Sequence, residues 1–142
     1  MFDLRPVGYV LGLLVLTLGI TMLIPLGVDV WAGNGHWGAF AESAAITVVT
    51  GMFMTMACAN GVTQGLSIQQ TFFLTTGVWL VLPLFGALPF ILGQPDAFMV
   101  DAVFEAMSGL TTTGATVLTD LDALPLGLNL WRGLMQWFGG IG

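Results

Sequence analysis

The residues best suited to chemistry lie in one stretch, Ser108-Gly109-Leu110-Thr111-Thr112-Thr113-Gly114-Ala115-Thr116. What this stretch offers is oxygen. Thr111, Thr112, Thr113 and Thr116 supply small hydroxyls, and Gly114 lets the backbone adopt conformations that a side chain forbids. Carbonyls turned one way along such a loop, including that of Ala115, can replace the water around a cation, with the hydroxyls packing the loop or joining the coordination. In a soluble protein the same residues would read as a connector. Between apolar helices they carry more weight, because non-helical backbone at membrane depth is tolerated only where it is buried in protein or lines a water-filled path.

Composition places the loop in a membrane. Of the 142 residues, 56% are hydrophobic and 7% charged, against about 25% charged in a soluble domain, so most of the surface must face lipid. Arg5 and Arg132 are the two basic residues, which leaves no basic patch for nucleic acid. The single cysteine, Cys58, cannot form an internal disulfide and reads as a small residue facing lipid or another helix. His36, with neither cysteine nor second histidine near it, is a poor metal ligand. No Ser-His-Asp or Cys-His set is assembled, so an enzyme is not expected.

The expected fold class is all-α: a polytopic helical membrane protein. Spans need about 20 apolar residues. The first is expected over Val7–Leu26, closed by Pro25 and Gly27, and is longer than the core of a signal peptide. A polar loop, Asp29–His36, leads to a second span, Trp37–Ala59, with Trp31 and Trp37 as interface anchors. Asn60–Gln70 reads as a polar loop, and Thr71–Leu92 as a third span kinked by Pro83 and Pro89. Ala97–Met107 is too short and too polar to cross. It reads as a re-entrant half-helix, with Asp96 as its N-cap and Gly109 as its stop. Its negative C-terminal end faces the threonine loop. A last apolar helix runs from Leu126 to Gly142 and stops without a cap or polar flank, as expected of a fragment. The chain divides into a two-helix hairpin with its loop, 1–70, and a helix–half-helix–loop–helix unit, 71–142.

Arg5 places the N-terminus in the cytoplasm by the positive-inside rule, so the half-helix enters from outside. Asp29, Asp96, Asp101, Asp120 and Asp122 then gather near the outer face, with Glu42 and Glu105 deeper. The set raises local cation concentration, or consists of acids that avoid lipid. Arg132 lies inside the last helix, where a charge is costly unless paired. Glu105 is the partner expected, bracing the half-helix against the last helix and testable by exchanging the two charges; the alternative is that Arg132 snorkels outward. Gly139-Gly140-Ile141-Gly142 has the look of a phosphate-loop fragment, but inside an apolar helix it serves close helix packing. The eight methionines read as apolar filler.

Phe104 through Thr116, then Leu124-Pro125, Trp131-Arg132 and Gln136-Trp137-Phe138-Gly139-Gly140-Ile141-Gly142, resemble the first pore repeat of the TrkH/KtrB potassium transporters, and the two preceding spans resemble the extra N-terminal helices of the TrkH branch. The resemblance implies a potassium-channel-like fold in which four non-identical repeats of one polypeptide surround a pore. Each contributes a filter loop centred on a glycine, here matching Gly114. It implies potassium as the transported ion with no bound cofactor, a multi-pass protein of the bacterial or archaeal inner membrane, and a homodimer gated by a cytosolic TrkA-type nucleotide-binding ring. This chain holds one repeat of the four and would need the other three. Two further readings are a one-repeat channel that self-assembles, and a membrane interaction fragment that transports nothing.

Overall fold

A computed structural model describes residues 2–61 and 65–142. All regular structure among them is helical: α1 (Arg5–Thr21), α2 (Leu23–Ala32), α3 (Trp37–Cys58), α4 (Ile68–Gly86), α5 (Leu88–Leu92), α6 (Met99–Leu110) and α7 (Leu126–Ile141), with 3₁₀ turns at Ala59–Gly61 and Leu121–Ala123. Three continuous stretches, Arg5–Ala32, Trp37–Cys58 and Ile68–Leu92, are long and apolar enough to cross a membrane. Part of the polar loop expected over Asn60–Gln70 lies outside the described residues.

The first span is longer than its sequence suggests. Pro25 and Gly27 do not end it. Pro25 has no N–H to give Thr21, and its ring crowds that carbonyl, so the helix is interrupted at Met22 and resumes as α2. It stops at Gly33, which takes the left-handed conformation (φ 64°) that ends helices well. Asp29, expected in a loop, is therefore helical. The start of α4 also differs. Ser67 and Gln70 form a reciprocal capping box, with the Ser67 hydroxyl accepting the Gln70 N–H (3.2 Å) and the Gln70 side chain accepting the Ser67 N–H (2.9 Å). The helix thus begins at Ile68, and Gln69 and Gln70 belong to it. Gln70 also donates to the Asp3 carbonyl (2.6 Å), tying α4 to the N-terminus.

Pro83 and Pro89 break the third span at Ala87, between α4 and α5. A broken span exposes carbonyls that lipid cannot satisfy. Here the buried Trp131 indole N–H, from α7, donates to the Gly86 carbonyl at 3.0 Å.

α1 and α3 pack backbone to backbone. A Cβ on Gly51 would lie 2.6 Å from the Leu16 nitrogen, and one on Gly12 would lie 2.8 Å from the Thr55 nitrogen. Small residues let membrane helices approach this closely, and dispersion then holds them where no hydrophobic force acts. Cys58 joins the same seam: its sulfur lies 2.6 Å from where a Gly8 Cβ would stand, so it faces a helix.

α6 is the pivot of the fold. Twelve residues make a helix of about 18 Å, roughly half a hydrocarbon core. Its buried face, Ala102, Glu105, Ala106 and Ser108–Leu110, sits in a core completed by Met22, Phe40, Phe90, Leu128, Trp131 and Met135. Ala102 and Ala106 stand one turn apart and are fully buried, so the neighbouring helices come close.

Gly51→Val should separate α1 from α3 at a cost of about 1–3 kcal/mol, the usual penalty for overpacking. Gly27→Val, at a helical site with nothing within 4 Å of a Cβ, should be silent. Folded yield by fluorescence-detected size exclusion in detergent should fall for the first variant and hold for the second.

Candidate functional site

The threonine loop begins later than its sequence suggests. Ser108, Gly109 and Leu110 form the last turn of α6, and Thr111 is its C-cap. Gly109 does not stop the helix. A Cβ there would lie 3.0 Å from that of Met135, so this glycine is needed for contact with α7. The stop is made instead by Thr112, at φ 57°. The Thr112 N–H donates to the Gly109 carbonyl (2.9 Å) and the Thr113 N–H to the Ser108 carbonyl (3.0 Å). This is a Schellman ending with threonine where glycine is usual. A β-branched residue in that region is a genuine outlier, and such outliers cluster at functional sites. Gly114 follows at φ 76°, with open space on its Cβ side.

At its other end the half-helix has no side-chain cap: Phe98 occupies the N-cap position, and α6 starts at Met99. Asp96 is not the N-cap. It lies two residues further out with φ 56°, in the turn whose N–H groups bond back to Gly93 and Phe90.

The loop is held from behind by two α6 side chains. The Ser108 hydroxyl donates to the Ala115 carbonyl at 2.6 Å. Glu105, whose side chain is 2% exposed, uses both oxygens. One accepts the Thr116 hydroxyl (2.5 Å) and the N–H groups of Val117 (2.7 Å) and Leu118 (3.3 Å). The other accepts the Arg132 Nε–H at 3.3 Å. The structure thus brings Glu105 and Arg132 together across α6 and α7, with Arg132 only 18% exposed. It also gives Glu105 a task the sequence did not disclose, that of anchoring the outgoing limb of the loop. An arginine at position 105 could accept none of those bonds, so exchanging the charges does not isolate the pair.

The hydroxyls divide between packing and freedom. Thr111 bonds back to the Met107 carbonyl (2.7 Å) and to the Thr113 hydroxyl (2.8 Å), while Thr116 is held by Glu105. The backbone oxygens behave differently. Among the described residues no donor is bonded to the carbonyls of Thr111, Thr112, Thr113, Gly114 or Thr116. The Ala115 carbonyl is the one the Ser108 hydroxyl engages. A run of unpaired carbonyls on an exposed loop at the negative end of a helix is an arrangement that suits a cation.

Gly139 supports the loop from below: any Cβ on it would collide with the Leu110 carbonyl. Of the glycines in this segment, Gly139 serves close packing, while a Cβ on Gly140 or Gly142 would make only ordinary contacts.

The outer acids separate into two kinds. Asp96, Asp120 and Asp122 are exposed and Asp101 is partly so. Asp29 is fully buried, and its carboxylate accepts from the Asn34 side chain (2.8 Å), the Gly127 N–H (2.8 Å) and His36 Nδ1 (3.0 Å). It is no part of a solvated mouth. His36, set aside in the sequence, is its partner, and His36 Nε2 accepts the Gln94 N–H at 3.0 Å. The Asp29–His36 bond is local, but the segment around His36 does not signal the backbone groups the pair receives, Gln94 on His36 and Gly127 on Asp29, which lie 58 and 98 residues away.

The family model described as "TrkH: Cation transport protein" matches residues 36–142. The Trk system potassium uptake protein TrkH of Halomonas elongata is 40% identical over 141 residues, which is 99% of this chain and 29% of the relative. Its counterpart in Escherichia coli K12 is 38% identical over 140 residues, 97% of this chain and 29% of the relative. The crystal structure of the potassium transporter TrkH from Vibrio parahaemolyticus superposes with a TM-score of 0.90 at 32% identity, covering 99% of this chain and 30% of that one. The chain thus spans about 29% of the length of the curated relatives it matches. With its half-helix, its tethered threonine loop and three-quarters of its length under one family model, the chain belongs to the TrkH family of cation transport proteins.

Proposed function

We propose that this chain is the first pore quarter of a potassium uptake protein, with Thr111–Thr116 as its share of the selectivity filter. The observation that carries this reading is the contrast within the loop. The Thr111 and Thr116 hydroxyls and the Ala115 carbonyl are tied back to α6, while the carbonyls of Thr112, Thr113, Gly114 and Thr116 have no donor among the described residues. Oxygens that are held in place by neighbouring bonds yet have no donor of their own can replace hydration waters without rearranging, which is what separates a coordination site from a loop. Glu105 and Arg132 are the structural support of the filter. The boundary expected between residues 70 and 71 moves to the start of α4: the residues before Ile68 form the accompanying hairpin, and 68–142 the repeat proper. The relatives' names support potassium as the cargo. The multi-pass placement in an inner membrane, the three further repeats, the homodimer and the TrkA-type ring follow from the resemblance and complete the reading.

The complete polypeptide that carries these residues should restore growth of potassium-uptake-deficient cells on low potassium. Gly114→Ser, forced to hold a side chain at φ 76° at a cost of about 1–2 kcal/mol, should admit sodium while remaining in the membrane. Growth without restored potassium uptake, or unchanged sodium exclusion in Gly114→Ser, would sink the filter assignment.

Glu105 separates into its two tasks by substitution. Glu105→Ala strands Arg132 and two backbone N–H groups, a loss of about 3–5 kcal/mol for a broken buried pair, and should abolish uptake. Glu105→Gln keeps an oxygen for Val117 and Leu118 but loses the charge, and should retain uptake lowered by about tenfold, near 1.4 kcal/mol. Initial rates of rubidium uptake, normalised to protein in the membrane, order the two variants.

Thr112→Gly removes the left-handed strain. It should raise the melting temperature of the purified protein yet weaken discrimination between potassium and sodium, because a residue without a side chain leaves the loop that follows freer to take other backbone conformations.

A further inference from the structure

We propose that Asp29 and His36 form a positioning couple that sets the location of the filter by pinning both ends of the re-entrant segment to one point; the inference rests on the filter reading of Thr111–Thr116. Gln94 opens the turn that leads into α6, and Gly127 is the second residue of α7. Everything between them is the inward excursion: half-helix, loop and return. The Gln94 N–H ends on His36 Nε2 (3.0 Å), and the Gly127 N–H ends on an Asp29 oxygen (2.8 Å). The two acceptors are joined by the bond from His36 Nδ1 to the other Asp29 oxygen (3.0 Å).

The bonding fixes the state of the ring. A backbone N–H can only donate, so Nε2 accepts, and the imidazole carries its proton on Nδ1, aimed at Asp29. The couple is then a neutral imidazole donating to a carboxylate. Asn34 completes it, donating to Asp29 from its amide (2.8 Å) and accepting the His36 N–H (2.9 Å). Asp29 also sits where the N–H groups of α7 begin. It acts as an N-cap supplied by another helix, with its charge at the positive end of the α7 dipole.

Both contact points are glycine-lined. A Cβ on Gly93 would collide with His36 Nε2, and a Cβ on Gly127 would lie 2.5 Å from an Asp29 oxygen. The close approach is therefore built from both sides. From the couple a packed line leads inward. His36 stands edge-on to Phe40 (5.8 Å), Phe40 stands edge-on to Trp131 (6.3 Å), and Trp131 precedes Arg132, which holds Glu105. Movement of α7 at Gly127 is thus transmitted to the carboxylate that anchors Thr116–Leu118. A coordination site must be held to about 0.5 Å, and this couple references both of its supports to the N-terminal hairpin.

The test uses the complete polypeptide, reconstituted in vesicles, with two readouts. The first is potassium uptake: KM, maximal rate and competition by sodium. The second is amide hydrogen exchange at Thr113, Val117 and Leu118, whose N–H groups hold the loop to α6. His36→Ala should raise the KM for potassium about tenfold and relax sodium exclusion, with membrane abundance held within about twofold. It should also speed exchange at the three loop amides at least about tenfold, relative to amides of α1 and α3. His36→Gln, whose amide can donate to Asp29 and accept from Gln94, should recover most of both effects, and Asp29→Asn should fall between. Unchanged exchange at the loop, or loss of abundance in step with uptake at constant KM, would overturn the proposal. If the unsubstituted protein carries no potassium while its loop amides still respond to His36→Ala, the filter reading fails and the positioning of the loop stands.

Discussion

The buried carboxylate of Glu105 is the constraint on which the rest of this architecture depends. A charge at 2% exposure survives only if its lone pairs are occupied, and each of its partners fixes a different part of the molecule. Arg132 fixes α7 against α6. The Thr116 hydroxyl and the Val117 and Leu118 N–H groups fix the chain as it leaves the loop. A hydrophobic residue could fill the same space at no electrostatic cost, but it could not hold non-helical backbone at a set depth. In lipid no water would satisfy those N–H groups in its place.

The same economy runs through the other unusual groups. The kink made by Pro83 and Pro89 leaves the Gly86 carbonyl for the Trp131 indole. The α7 N-terminus finds Asp29, and the end of α6 is closed by the loop's own N–H groups. Among the described residues no buried side-chain nitrogen or oxygen lacks a partner. The loop carbonyls of Thr112, Thr113 and Gly114, by contrast, are exposed backbone groups with no donor among the described residues.

The spans, the half-helix and the loop were legible in the sequence, because apolar run length decides what can cross and a short amphipathic run bearing Asp101 and Glu105 cannot. The Glu105–Arg132 contact was legible because few charges occur at that depth. Boundaries were less so. Pro25 looked like a terminus and proved an interruption, while Ser67 and Gln70 carried a capping signal that their polar surroundings obscured. Gly109 looked like a stop because glycine commonly is one; whether a glycine is spent on φ or on close approach depends on Met135, which the local sequence does not reveal. Asp29 and His36 were the least legible, since each is defined by backbone groups far along the chain.

The length of the first helix has a further consequence. Arg5–Ala32, α1 and α2 taken together, has a helical path of about 42 Å, against a hydrocarbon thickness of about 30 Å. Asp29 lies near its far end, close to the edge of the hydrocarbon when the helix stands upright. A thinner or thicker bilayer must be met by tilting this helix and its partner α3. The segment that carries the loop is bonded at both ends to the Asp29 end of this helix, at His36 and Asp29. The depth of the loop is therefore set by contacts within the protein, at Gln94 and Gly127, and not by contacts with lipid.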